Sequence, residues 1–411
     1  MMTKLRGLAP TLAAVTLAVA AALAVAPALL ASPVAAARVQ SASNTERALI
    51  QPAGSAPRTQ ALSAPAVDSL VQAFHAAHRP VGLVVAVTTP AGDHIAAHGV
   101  PSLEKGAPPV DGASRFEAGS ITKVFTALLL ADMAARGEVS LDDPIGEYLP
   151  DDVAVPAFDG EPITLRHLAM HTSGLPRLPA NLVPADMADP YAAYDEALLH
   201  DFLRDFEPTR APGERYEYSN LGAGLLGHLL ARRAGKPFDA LVAERILEPL
   251  GMRDSYIAGE ENDGTAGDDD ARLATGYVGQ NAVAWWHFGA LPGAGALRST
   301  ATDLLRLLRA QLEPGASPLE AAIHLSRRNR APVAENVSIA LGWHVSALPD
   351  GTEMFWHNGI TGGFRGFVGF APAHDVGVVV LTNSAVPPQA VDQLAVQVAL
   401  MVAGERSAEM P

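Results

Sequence analysis

The stretch FEAGSITKVFTALLLADM, residues 116–133, places Ser120 and Lys123 three positions apart, just ahead of an apolar run at 124–133. In a helix, positions three apart share a face, so Lys123 stands one turn above Ser120 and within reach of its hydroxyl. A serine hydroxyl is a weak nucleophile until a base takes its proton. A lysine amine becomes that base when burial and positive surroundings lower its pKa. The first turn of a helix adds a positive dipole end and N–H groups without intrahelical partners. Those groups suit an oxyanion forming beside Ser120. The competing explanation is an ordinary amphipathic helix that happens to begin there. Ser-x-x-Lys is expected about once by chance in a chain of this length, and it recurs at 102–105. That copy lies between Pro101 and Gly106 with no apolar run behind it, so placement favours Ser120.

Outward from this stretch the chain reads as mixed α/β. VDSLVQAFHAAH (67–78) has helical spacing, and VGLVVAVTTPAGDHIAAHGV (81–100) reads as a hairpin turning at Pro90, Ala91 and Gly92. From 120 to about 312, helical segments alternate with Pro- and Gly-rich loops. VFTALLLADMAARG and LGAGLLGHLLARRAG end at Gly137 and Gly235, where a helix C-terminus favours glycine. Strand signals return in IALGWHVSAL, EMFWHNGI, GFRGFVGFAPA and VGVVVLTN, with turn residues at Asp350-Gly351 and in APAHD. AVDQLAVQVALMVAG closes the chain as a helix. Strands at both ends predict one antiparallel sheet built from both termini and flanked by helices, with a mainly helical lobe inserted over about 120–340. No repeat of solenoid or propeller length is present.

The chain is 49% apolar and 18% charged over 411 residues, a globular composition. It has no cysteine. That excludes disulfides, thiolate metal sites, a cysteine nucleophile and a lipoprotein anchor. Lys4 and Arg6 precede an almost wholly apolar segment at 8–30, and Ala35 and Ala37 offer a cleavage point before Arg38. Residues 1–37 therefore read as a secretory signal; Pro10, Pro27 and the Ala-x-Ala site favour cleavage over a retained membrane anchor. Residues 38–61 read as a flexible linker, 62–404 as a catalytic domain and 405–411 as a tail. The expected location is periplasmic or secreted, with membrane contact only if the leader is kept. The chain carries 29 basic and 44 acidic residues, net −15, and loss of Lys4 and Arg6 makes it more negative. Such a surface repels nucleic acid and anionic lipid.

Two further motifs lie far downstream. ERYEYSNLGAGLLGHLL holds Tyr218-Ser219-Asn220 just before a helix, where Ser219 or Asn220 also serves as a plain N-cap. MFWHNGITGGFRGFVGF holds His357-Asn358-Gly359 at the end of a strand, which is also an ordinary Gly-rich turn; His287-Phe288-Gly289 matches the same short pattern. In order, Ser120-x-x-Lys123, Tyr218-x-Asn220 and His357-x-Gly359 resemble the serine β-lactamase and penicillin-binding protein superfamily. The nearest branch is that of class C β-lactamases with related DD-peptidases and esterases. ITLRHLAMHTSGLP, PGERYEYSNLGAGLLG, ILEPLGMRDSY and GALRSTATDLLRLL resemble the same branch, and the likeness spans about 81–383.

That resemblance implies a β-lactamase/transpeptidase-like fold working without metal or cofactor. Ser120 would form an acyl-enzyme, and Lys123 and Tyr218 would share the base and proton-shuttle work. Asn220 would orient the substrate amide and the lysine, and the N–H groups of Ser120 and Ile360 would form the oxyanion hole. The implied substrate is a β-lactam or a D-Ala-type peptide of peptidoglycan. A carboxylesterase of the same fold and a non-hydrolytic penicillin-binding sensor are the alternatives; an exported structural protein leaves the three motifs unexplained. His357 departs from the class C pattern, which has lysine there, and matches some DD-peptidases of the branch. A histidine of ordinary pKa, about 6.5, is mostly neutral at pH 7 and attracts an anion less than lysine does. A neutral His357 still donates one hydrogen bond, and Arg365 and Arg298 are candidates to compensate.

Other chemistries find less support. Neither Gly-x-Ser-x-Gly nor Ser-Asp-Asn occurs, which sets aside the α/β-hydrolase elbow and the class A pattern. His167 and His171 are four apart, but the intervening Leu-Ala-Met lacks a zincin glutamate and no third ligand is evident. GAGALR lacks the strand and spacing of a phosphate loop. The acidic stretch 259–272 lacks the alternate-position acids of an EF-hand and reads as a solvated loop.

Overall fold

GLVVAVTT, Gly82–Thr89, is buried along its whole length, so both faces of its sheet are covered and the strand reads as a continuous apolar run. The computed structural model, which describes residues 64–259 and 272–407, pairs this strand antiparallel with Gly92–Gly99 on one side and Val376–Thr382 on the other. The expected leader, the linker, most of the acidic stretch and the last four residues lie outside the described residues. Eight strands form the main sheet, in the order Ala331–Ala334, Val337–Ile339, His344–Ala347, Glu353–Ile360, Arg365–Ala371, Val376–Thr382, Gly82–Thr89 and Gly92–Gly99. Every neighbouring pair is antiparallel. The sheet is thus assembled from both ends of the chain.

Successive side chains point to opposite faces. Leu83, Val85, Val87, Val378 and Val380 pack beneath two helices, Ala64–His78 through Val67 and Val71, and Pro388–Ser407 through Leu394, Ala395 and Val398. Val84, Ala86, Val379 and Leu381 join a second core on the other face, shared with the helical lobe. The final helix runs through Ser407, past the expected end of the domain at 404. No helix among the described residues is long and apolar enough to cross a membrane.

The sheet also resumes earlier than the sequence suggests. Strands Ala331–Ala334 and Val337–Ile339 already belong to it, and helix Ala301–Leu312 packs on its strands rather than on the lobe. The expected lobe limit near 340 therefore falls inside the sheet. IALGWHVSAL divides into two strands because the chain turns at Gly342, whose φ is +73°. A Cβ there would lie 2.7 Å from the Ala127 Cβ, so only glycine lets the turn meet the central helix.

That central helix, Thr122–Ala135, is buried at every position from Thr122 to Met133. A helix buried all round belongs between layers, not half in solvent as an amphipathic pattern implies. It packs against helices Asn220–Ala234 and Glu320–Arg328. Its approach is fixed first: Arg115–Glu117 pairs with Leu297–Thr300, which also pairs with Tyr256–Ile257. A single 3-10 turn, Gly119–Ile121, then leads into the helix. Thr122 Oγ1 donates to the Gly119 carbonyl at 2.6 Å and accepts from the Leu297 N–H at 2.9 Å, tying that turn to the small sheet.

Candidate active site

Ser120 sits in the 3-10 turn, where two glycines let backbones touch. Gly119 has φ +52°, and a Cβ on it would come 2.8 Å from the Ile360 nitrogen and oxygen. A Cβ on Gly359 would lie 1.9 Å from the Ala118 carbonyl oxygen. The Ser120 turn and the end of strand Glu353–Ile360 are therefore in direct main-chain contact.

Lys123 follows one turn later, 3% exposed, with Nζ 3.0 Å from Ser120 Oγ and donating to the Ala294 carbonyl at 2.6 Å. Burial, with the nearby positive Arg177, holds its pKa well below the ordinary 10.5. Tyr218 donates its hydroxyl to Ser120 Oγ at 2.8 Å, and the Lys123 ammonium lies 5.0 Å from the centre of its ring. Burial pushes the Tyr218 phenol up to about 12, although the bond to Ser120 and Arg177 act the other way. Desolvation thus favours the neutral form of both groups, and a neutral amine is the one ready to accept a proton.

The Tyr218 segment is aimed by a helix start. Ser219 caps Asn220–Ala234, accepting from the Gly222 N–H at 2.8 Å and donating to the Pro176 carbonyl at 2.6 Å. The N–H groups of Asn220 and Leu221 donate to the Arg177 carbonyl. The capping explanation and the motif explanation therefore both hold, and the cap is what orients the tyrosine. Asn220 Nδ2 donates to the Tyr191 hydroxyl at 2.8 Å, while its Oδ1 is buried without a hydrogen-bond partner among the described residues. Its amide is engaged with Tyr191 rather than with Lys123, contrary to the orienting role expected toward the lysine.

Three imidazoles surround this group. His171, with φ +56°, accepts the Ser219 N–H on Nδ1 at 3.2 Å, and its ring lies 4.5 Å from that of Tyr218. His344 stacks on Trp356 with centroids 4.8 Å apart, and its Nε2 shares a hydrogen bond with the Tyr216 hydroxyl at 3.0 Å. His357, 1% exposed, lies 5.2 Å from His344 and 6.3 Å from Tyr218, centroid to centroid. Burial lowers all three, with Lys123 adding in each case, and His344 falls to about 4. The imidazoles are neutral at pH 7.

His357 Nδ1 is 2.6 Å from the Asn358 carbonyl oxygen, so that nitrogen carries the proton. The one hydrogen bond a neutral imidazole can donate is thereby used on the chain itself, and Nε2 has no partner among the described residues. The expected donation to a substrate anion is not available in this arrangement. Nor do the proposed substitutes compensate. Arg298 is 1% exposed and paired at 3.8 Å with Glu117, while Arg365 donates to the carbonyls of Thr361, Phe364 and Val386. Glu117 also accepts from the Trp286 N–H and the Thr361 hydroxyl, each at 2.8 Å, and burial raises it to about 7.

The rival matches fall elsewhere. Ser102 and Lys105 lie in a turn segment outside any helix. His287 is bound to Asp189 through its N–H at 2.8 Å and its Nδ1 at 2.5 Å. His167 accepts the Thr164 N–H at 3.2 Å as part of a helix cap, so His167 and His171 serve separate backbone partners. Sequence reasoning missed Arg177, His171, Tyr191 and the Ala294 carbonyl. His171 lies inside the quoted ITLRHLAMHTSGLP, where its spacing from His167 suggested only a zinc pair, and Arg177 directly follows that stretch with nothing in its spacing to mark it.

A family model described as Beta-lactamase matches residues 67–403. A Beta-lactamase of Pseudomonas fluorescens is 27% identical over 354 residues, covering 78% of this chain and 93% of the relative. One of Escherichia coli (strain K12) is 28% identical over 321 residues, covering 69% and 79%. The D-alanyl-D-alanine-carboxypeptidase/endopeptidase AmpH of the same strain is 28% identical over 291 residues, covering 67% and 72%. The match spans the whole sheet, the helical lobe and every residue of the constellation around Ser120. The chain belongs to the Beta-lactamase family and is a serine hydrolase of that family's mixed α/β fold.

Proposed function

We propose that this protein hydrolyses a β-lactam or D-Ala-type amide through an acyl-enzyme on Ser120. The observation that carries this is the pair of hydrogen bonds converging on Ser120 Oγ, from Lys123 Nζ at 3.0 Å and the Tyr218 hydroxyl at 2.8 Å. Neutral Lys123 takes the Oγ proton as Oγ bonds the carbonyl carbon. Lys123 is assigned as the base because burial and Arg177 lower its pKa and so favour the neutral amine, whereas burial raises Tyr218 to about 12 and holds its proton on. The N–H groups of Ser120 and Ile360 receive the oxyanion. As the C–N bond breaks, the leaving nitrogen takes the Tyr218 proton and Tyr218 is reprotonated from Lys123. Water then repeats the sequence on the ester, returning Ser120 Oγ–H. Asn220 Oδ1, which has no hydrogen-bond partner among the described residues, is the acceptor assigned in this reading to the N–H of an acyl-side amide. The leader reading places this activity outside the cytoplasm.

A carboxylesterase is the second reading, and His357 favours it. β-Lactams and D-Ala peptides present a carboxylate, and a neutral His357 with its donor already used offers that carboxylate little. Side-by-side turnover of nitrocefin, a D-Ala-D-Ala peptide and a short-chain p-nitrophenyl ester separates the readings. The amide reading predicts turnover of nitrocefin or the peptide, with His357→Lys raising kcat/KM for nitrocefin about tenfold, about 1.4 kcal/mol, and leaving ester turnover unchanged. Turnover of the ester alone, by both proteins, would install the esterase reading.

A further inference from the structure

A second cluster lies in the helical lobe among residues the hydrolytic chemistry does not use. Helix Glu196–Asp205 carries Glu196 at its first position and His200 one turn later; helix Asn220–Ala234 contributes His228. Glu196 Oε1 is 3.6 Å from His200 Nε2 and 3.8 Å from His228 Nε2. The two rings meet edge to face with centroids 5.7 Å apart, and the three side chains bring one ligand atom each within 4.8 Å of one another. Both Nε2 atoms are buried, and neither has a hydrogen-bond partner among the described residues. Buried imidazole nitrogens normally find partners, and two of them facing one carboxylate form a ligand set.

We propose that Glu196, His200 and His228 bind one divalent transition-metal ion of the zinc class. Two imidazoles and one carboxylate match zinc and its neighbours rather than magnesium or calcium, which take oxygen ligands. Tetrahedral bonds of about 2.0–2.1 Å put ligand atoms about 3.3 Å apart. The Glu–His separations exceed that by half an ångström or less, which side-chain rotation closes. Three protein ligands leave the fourth position to water. The ion would join the helix Glu196–Asp205 to the helix whose cap positions Tyr218, so it stabilises the lobe by mass action. Arg232 is the built-in competitor: its Nη1 lies 3.6 Å from the same Glu196 oxygen while its Nε donates to the Tyr148 carbonyl at 3.0 Å, a bond that can keep the guanidinium in place when Glu196 turns to the ion.

The test is calorimetric titration of the EDTA-stripped, dialysed full-length protein with Zn2+, followed by thermal unfolding with and without the ion. Expected are one Zn2+ per chain, a higher Tm with zinc, and affinity reduced at least tenfold in His228→Gln and His200→Gln. Arg232→Gln should tighten binding, and His324→Gln, which removes an exposed Glu320–His324 pair, should leave it unchanged. Glu196→Gln at an exposed position supplies the same loss of affinity should either histidine variant fail to fold. Absence of stoichiometric binding, or binding that His228→Gln and Glu196→Gln leave intact, overturns the proposal.

Discussion

At Lys123, burial and the positive charge of Arg177 act in the same direction, and both disfavour the ammonium form. Below the lowered pKa the amine holds a proton and cannot take that of Ser120. The expected kcat/KM therefore falls as pH drops through that pKa, and its plateau is reached well below pH 10.5. Lys123→Arg keeps the charge but cannot become neutral, so kcat/KM measured across pH should fall about 10²- to 10⁴-fold. Full activity in that variant would remove the lysine from its role. Local spacing and placement singled out Ser120 and Lys123 without deciding between a reactive pair and a plain helix start, and the downstream motifs tipped that reading. Tyr218 and His357 were singled out only through resemblance, because Tyr218 meets Ser120 across 98 positions of chain and His357 lies against Tyr218 and His344 rather than against a sequence neighbour of Ser120. Arg177 and the Ala294 carbonyl were not legible, since a cation and a main-chain oxygen that lower and hold an amine leave no spacing signature. His357 was read as a residue able to donate to a substrate; the carbonyl of the next residue, Asn358, not visible as a partner in sequence, takes that bond.

Among the elements, the long strands were the readable ones. GLVVAVTT and VGVVVLT are buried on both faces, so their apolar runs have no polar interruption. The hairpin at Pro90–Gly92 and the helix end at Gly235, left-handed at φ 64°, follow turn and cap chemistry. Strands of two to four residues, such as Tyr256–Ile257 and Leu297–Thr300, carry too little pattern to be read, although they fix the approach to the Ser120 turn and the central helix. The contact between Gly359 and the Ala118 carbonyl belongs to this scale. Gly359→Ala should push the strand end away from the Ser120 turn and displace the Ser120 and Ile360 N–H groups. A misplacement near 1 Å costs on the order of 10²-fold in rate, so steady-state kinetics should show kcat reduced by about that factor. Unchanged kcat would mean that the strand end does not position the turn.

The whole molecule depends on a sheet closed by its two ends. Strands at both termini predicted that architecture, but the lobe boundary was misplaced because Ala331–Ala334 and Val337–Ile339 are short and poorly patterned. The helix Pro388–Ser407 covers the outer sheet face through Leu394, Ala395 and Val398. A chain ending before Pro388 would expose that face, and each large apolar side chain uncovered forfeits about 1.5–3 kcal/mol. Such a protein should lose its cooperative thermal transition in near-UV circular dichroism. The central claim, a covalent acyl-enzyme on Ser120, is tested most directly on the intact chain. The wild-type protein is mixed with a β-lactam, quenched within a turnover, and weighed by mass spectrometry, with peptide mapping of any adduct. The account predicts a mass increase equal to the opened β-lactam, mapped to Ser120 and absent from Ser120→Ala. An adduct elsewhere, or hydrolysis undiminished in Ser120→Ala, would contradict it.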